Sequence, residues 1–195
     1  SKQTFINWIQ AQTTAFRKGV EIVAMDGFTG YKTAAAQTLP EATTVMDPFH
    51  VVALAGTAVD KCRQRIQQAT LGRRGKTGDP LYGIRKTLRT GQDYLTEKQR
   101  TKLTTAFEDP AHESVQQTWA VYQQIMAAYR HPNRTQAKQD LTAVIDSIST
   151  GIPAELTELR TLGRTMKRRA DDILAYFDHA NTSNGPTEAI NGRIE

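Results

Sequence analysis

Cysteine is almost absent from this chain: Cys62 is the single one in 195 residues. A lone thiol cannot close an internal disulfide. With no second Cys, and with His50, His112, His131 and His179 scattered, there is no zinc-ligand spacing either. Any metal is therefore expected on oxygen ligands. Long apolar runs are also lacking. No stretch of about eighteen apolar residues occurs, and no charged start leads into an apolar segment and a cleavage site, so neither membrane insertion nor secretion is indicated. No membrane partner and a cytoplasmic location are the expectations. Acid is missing locally as well, since residues 1–20 contain no Asp or Glu.

What is present fits a folded domain. A hydrophobic content of 38% over this length supports one sizeable core, or a core with an inserted subdomain, and argues against disorder. The net charge of +5 is unevenly spread: Asp60 to Pro110 carries twelve Lys or Arg against six Asp or Glu. A basic region of this kind concentrates phosphate-bearing partners, of which nucleic acid is the most abundant, while charge alone fits a solvated helical surface equally well.

The periodicity predicts an opening helix with Phe5, Trp8, Ile9, Ala15 and Phe16 on one face, ending near Lys18-Gly19. Short strands are predicted at Ile22 to Met25 and Thr43 to Met46, with a helix from Tyr31 to Leu39 between them. About seventeen residues separate the strands, enough for a crossover helix, so they should be parallel, with Asp26 and Asp47 leaving the same edge. At that edge of an open parallel sheet, ligands bind. From Pro48 onward only helices are expected. Phe49, Val52, Gly56, Val59, Cys62 and Ile66 mark one face, then come Pro80 to Arg89, Glu97 to Phe107, Glu113 to Tyr129, Thr135 to Ser149, Pro153 to Gly163 and Thr165 to His179. The stripe Trp119, Tyr122 and Tyr129 reads as core sooner than as a base-stacking platform. The fold class is thus α/β and predominantly helical: a partial core over residues 1–50, a helical insertion over 51–164, and C-terminal core helices over 165–195.

The segment Asn181 to Arg193 follows, where turn formers and Pro186 display Glu188 beside Asn184 and Asn191. Three acids, Asp26, Asp47 and Glu188, could thereby converge from distant parts of the chain, which suggests metal-ion chemistry on a phosphodiester. Such a substrate repels hydroxide and gathers charge on the attacking and leaving oxygens, and two divalent ions about 3.5–4 Å apart relieve both problems. Singly, each acid has a plain structural reading: Asp26-Gly27 fits a turn, and Glu188 two residues past Pro186 suits the first turn of a helix.

Asp26 with Tyr31, then Asp47-Pro48-Phe49-His50-Val51-Val52, then Thr182-Ser183-Asn184-Gly185-Pro186-Thr187-Glu188-Ala189-Ile190-Asn191 together resemble the DDE transposases of the ISL-three insertion-sequence group. The resemblance covers nearly the whole chain. It implies an RNase H-like core with a large all-helical insertion, Asp26 as the second and Glu188 as the third catalytic acid, and Mg²⁺ or Mn²⁺, two ions in the intact enzyme, held through Asp26 and Glu188. Asp47 and His50 match an accessory Asp-x-x-His element, and Asn184 and Asn191 are further accessory candidates. Double-stranded DNA would be cut at the element's ends and the freed 3′-hydroxyl joined to target DNA. The residues expected on its backbone are Arg63, Arg65, Arg73, Arg74, Lys76, Lys167, Arg168, Arg169 and Arg193.

The family's first acid lies on an earlier strand, and residues 1–20 offer none, so the chain is expected to be a C-terminal catalytic-domain fragment, inactive alone and without tightly bound metal. The free edge of Ile22 to Met25 should then promote self-association into a homo-oligomer. Two competing readings are a non-catalytic helical nucleic-acid-binding module and a protein-interaction scaffold whose basic face meets an acidic partner. Proximity of Asp26 to Glu188 separates them from the enzyme.

Overall fold

The computed structural model describes residues 1–27, 29–179 and 182. Asn184, Glu188, Asn191 and Arg193 lie outside the described residues. In chain order the helices and strands are α1 (Lys2–Gln10), α2 (Thr14–Gly19), β1 (Ile22–Met25), α3 (Thr29–Thr38), β2 (Thr43–Met46) and α4 (Pro48–Leu71). Then come α5 (Arg85–Arg89), α6 (Glu97–Phe107), α7 (Glu113–Arg130), α8 (Arg134–Ser147), α9 (Thr157–Arg168) and α10 (Ala170–Asp178). The protein is mixed α/β and predominantly helical, with a two-stranded parallel sheet. Among the described residues no helix is long and apolar enough to cross a membrane.

The chain divides into two compact units: Ser1–Val51 with the described residues from Arg169 onward, and Val52–Arg168. In the first, β1 and β2 pair in parallel with Ile22 opposite Thr43 and Met25 opposite Met46. The backbone N–H of Asp47 continues the ladder by donating to the Met25 carbonyl at 3.0 Å. The crossover helix α3 buries Ala34 and Ala35, whose small side chains let its backbone come close to its neighbours. Beside β2, α10 buries Ile173 and Phe177.

The opening segment departs from the single helix that its periodicity predicts. Ala11 ends α1, and Thr13 starts α2 by accepting the Phe16 N–H on its hydroxyl at 3.1 Å. A Thr hydroxyl competing for a backbone donor is a helix start, and here it outweighs the apolar spacing across it. As a result Trp8 and Phe16 are 56% and 45% exposed and meet each other edge-on at 6.0 Å, while Ile6 and Ile9 supply the buried face.

The second unit is all-helical among its described residues. Within it, α4 buries Val52, Ala55, Val59, Cys62 and Ile66, close to the face read from the sequence. Thr96 and Gln99 form a capping box that starts α6. Asn133 caps α8 after the His131-Pro132 break, its side chain accepting from Gln136 N at 3.1 Å. On α7, Val115, Tyr122 and Met126 are core, and half-buried Trp119 packs against Phe107 at 5.7 Å.

Two helix boundaries differ from expectation. Pro80 to Arg89 yields helix only at Arg85–Arg89, because Tyr82 N donates to the Asp79 carbonyl in a turn and Gly83 takes a φ of 71° that ends it. Gly163, read as a helix end, lies inside α9, and the break falls at Arg169. The glycine is there for space: a Cβ at position 163 would overlap the backbone carbonyl oxygen of Ile148.

Candidate active site

Strand β1 delivers Asp26 to the carboxyl edge of the sheet, with Gly27 immediately after it. Asp26 is partly exposed and lines an open cleft of about 540 Å³ with Ser1, Thr4, Trp8, Met25 and Tyr31. Across the ladder, Asp47 leaves β2 at the same edge, as the parallel register requires. Its carboxylate Oδ1 accepts the Phe49 N–H at 2.9 Å, and its carbonyl accepts from His50 N at 3.0 Å. Asp47 therefore caps α4, with Pro48 in the first helical position where its missing N–H costs nothing.

One turn into α4, the partly exposed His50 lies edge-on to Phe49 at 5.7 Å. Its Nδ1 is buried and has no hydrogen-bond partner among the described residues. A buried imidazole nitrogen in that state calls for a partner, and a carboxylate, water or phosphate oxygen would satisfy it.

The turn that carries Asp26 is held from α10. Arg169, only 5% exposed, donates from Nη2 to the Gly27 carbonyl at 3.1 Å and lies 3.5 Å from Asp172. Asp172, 2% exposed, accepts Lys32 Nζ at 2.7 and 2.9 Å and Thr44 Oγ1 at 2.7 Å. One buried carboxylate thus ties α3, β2 and α10 together and fixes the guanidinium that grips the residue after Asp26. Sequence reasoning missed Lys32, Thr44 and Asp172, and it read Arg169 as a DNA contact. Separations of up to 142 residues left no local signal for this network.

The remaining basic candidates fall into two groups. Arg63 is buried, 3.9 Å from Asp60 and donating to Gln67 Oε1 at 3.1 Å. Arg65 makes a forked pair with Glu158 at 2.9 to 3.1 Å and also donates to the Glu155 carbonyl at 2.8 Å. Arg73 clasps Asp79, holding that carboxyl down at about 2 with further help from the Lys76 backbone N–H. A guanidinium that is buried, or forked onto an internal carboxylate through two of its nitrogens, has little left for a phosphate. Exposed Lys167 pairs with exposed Asp146 at 2.7 Å, an arrangement a stronger anion can displace. Arg74, Lys76 and Arg168 are exposed and have no ion-pair partner among the described residues.

The transposase family model of the DDE type, ISL3 group, matches residues 1–195. The chain belongs to this ISL3 family of DDE transposases. No curated protein and no solved structure matches it. DDE transposases act on DNA with divalent metal ions, and the donor set at the Asp26 edge suits such an ion: a hard carboxylate on a rigid strand end, reachable from an open cleft. Among the described residues no three His, Cys, Asp or Glu side chains converge as a metal set.

Proposed function

We propose that this transposase chain contributes Asp26 and Glu188 to a centre that cleaves a DNA phosphodiester and transfers the freed strand. The observation that carries the reading is the family match over the whole chain, which spans Asp26 on its strand end and Glu188 alike. Two divalent ions, Mg²⁺ or Mn²⁺, would supply charge neutralisation at the attacking and leaving oxygens of the phosphodiester. Asp26 serves by holding an oxygen donor still on the edge of a sheet whose next turn Arg169 grips. Glu188 is the second donor, brought from the far end of the sequence. Asp47 starts α4 and so sets where His50 stands, and the partly exposed His50 ring would serve as an accessory group near that edge.

In the first displacement a water oxygen bonds to phosphorus, the bond from phosphorus to the 3′ oxygen breaks, and that oxygen takes a proton to become a hydroxyl. In the second, the 3′-hydroxyl oxygen attacks a target phosphodiester and the target's own 3′ oxygen leaves. One phosphodiester is exchanged for another, so no nucleotide hydrolysis is needed. Asn184 and Asn191 flank Glu188 and would orient it. Arg74, Lys76, Arg168 and Arg193 are the remaining candidates for the DNA backbone, and assembly as a homo-oligomer would bring two element ends together.

The test is Mg²⁺-dependent cleavage of DNA bearing the element's ends. Asp26→Ala and Glu188→Ala should each reduce cleavage by at least about 100-fold. Wild-type rates in either variant reject that residue's assignment.

A further inference from the structure

The α5–α6 turn of the helical unit is fixed unusually firmly for a surface segment. Tyr122 Oη donates to the Arg89 carbonyl at 3.0 Å, and Gln123 Nε2 donates to the Thr90 carbonyl at 3.1 Å. Gln123 Oε1 accepts from Gln92 N at 2.8 Å. Helix α7 thus holds the backbone from Arg89 to Gln92, and with it the side chains on either side. Seven residues beyond Gln123 on the same helix face, Arg130 stacks over the Tyr94 ring at 4.8 Å. Its guanidinium also lies so close to Gly91 that a Cβ there would overlap it.

Charge in this cluster is unbalanced. Arg85 Nε is 2.9 Å, Arg89 Nη1 3.6 Å and Arg63 Nε 3.9 Å from the carboxylate of Asp60. Among the described residues Arg130 has no carboxylate partner at all, and its Nε is buried with no hydrogen-bond partner. Arg89 and Arg130 both act on the Tyr122 hydroxyl, whose pKa burial raises and these two cations pull back down. A single bridging carboxylate needs one guanidinium, not this many. Nor is the display required by the core, since the Arg85 side chain is 68% and Tyr94 58% exposed.

We infer that Arg85 and Arg89, together with Arg130 stacked on the Tyr94 ring, form a binding site for the phosphate backbone of duplex DNA on the helical unit. Guanidinium groups match phosphate oxygens by forked hydrogen bonds, and the stack on Tyr94 holds Arg130 in place before the ligand arrives, which lowers the ordering cost of binding. The site differs from the exposed Arg74 and Lys76 and from the committed Arg63, Arg65 and Arg73. It rests on the reading of DNA as the substrate, but not on metal at Asp26 or Glu188.

The test is fluorescence anisotropy of a labelled random-sequence duplex in metal-free buffer, read across a salt series, with circular dichroism melts to monitor folding. The double variant R85A/R130A should bind about tenfold more weakly at fixed salt and lower the salt slope by about 1–2. Tyr94→Ala, which removes an exposed ring and no charge, should weaken binding several-fold and leave the slope unchanged. Arg130→Lys should do likewise, because charge is kept and the planar stack is lost. Folded variants that match wild-type affinity and slope overturn the site and leave the cleavage reading standing. A wild-type chain that binds no duplex overturns the site as well, and the separate cleavage assay still decides the roles of Asp26 and Glu188.

Discussion

At the scale of single residues, buried carboxylates decide which cations are available for function. Glu158 is the partner of Arg65: burial alone would raise its pKa, but the Arg65 hydrogen bonds and charge outweigh that and hold it below the ordinary 4.5. The stabilisation it contributes is fully present above that ordinary value and is lost as pH falls through the lower folded one. Glu158→Gln should cost about 1–2 kcal/mol in urea unfolding at neutral pH, less than a fully buried pair would, because the Arg65 side chain is 36% exposed. The wild-type advantage over this variant should shrink below the ordinary carboxyl range. An unchanged difference between pH 7 and pH 3 would contradict the pairing. Cys62 lies beside this pair, fully buried, with its thiol pKa pushed up first by burial.

At the scale of elements, local chemistry was legible where a single residue type enforces it. Both strands, their parallel direction and the span of α6 follow from sequence, because short apolar runs, the length of the crossover between them and helical spacing are all read along the chain itself. Boundaries failed where a distant neighbour decides. Gly163 reads as punctuation, yet it is a contact point between α9 and the end of α8, and only the Ile148 carbonyl reveals that. Gly163→Ala should therefore destabilise the helical unit by about 1–3 kcal/mol despite the better helix propensity of alanine, measured by thermal or urea melting. A neutral or stabilised variant would show that the Ile148 turn shifts freely. The break at Thr13 is the opposite lesson, a capping hydroxyl strong enough to split an apolar pattern in two.

At the scale of the whole molecule, the candidate acids could be found from sequence but their support could not. Asp26 stands out because it ends a strand and because its surrounding motifs match a family. The network that steadies it, Arg169 to Gly27 and Asp172 to Lys32 and Thr44, joins residues that share no spacing rule. Basic residues show the same limit: charge counting favours Arg63, Arg65 and Arg73, and the fold spends all of them on internal acids. The account's centre is one metal site shared by two acids far apart in sequence, and Mn²⁺ titration of an isotope-labelled chain followed by NMR tests it directly. Paramagnetic broadening should reach the amide signals around Asp26 and those around Glu188 at the same Mn²⁺ concentrations, and Asp26→Asn should abolish both. Broadening confined to one of the two segments, or broadening at Glu188 that survives Asp26→Asn, would contradict a shared site.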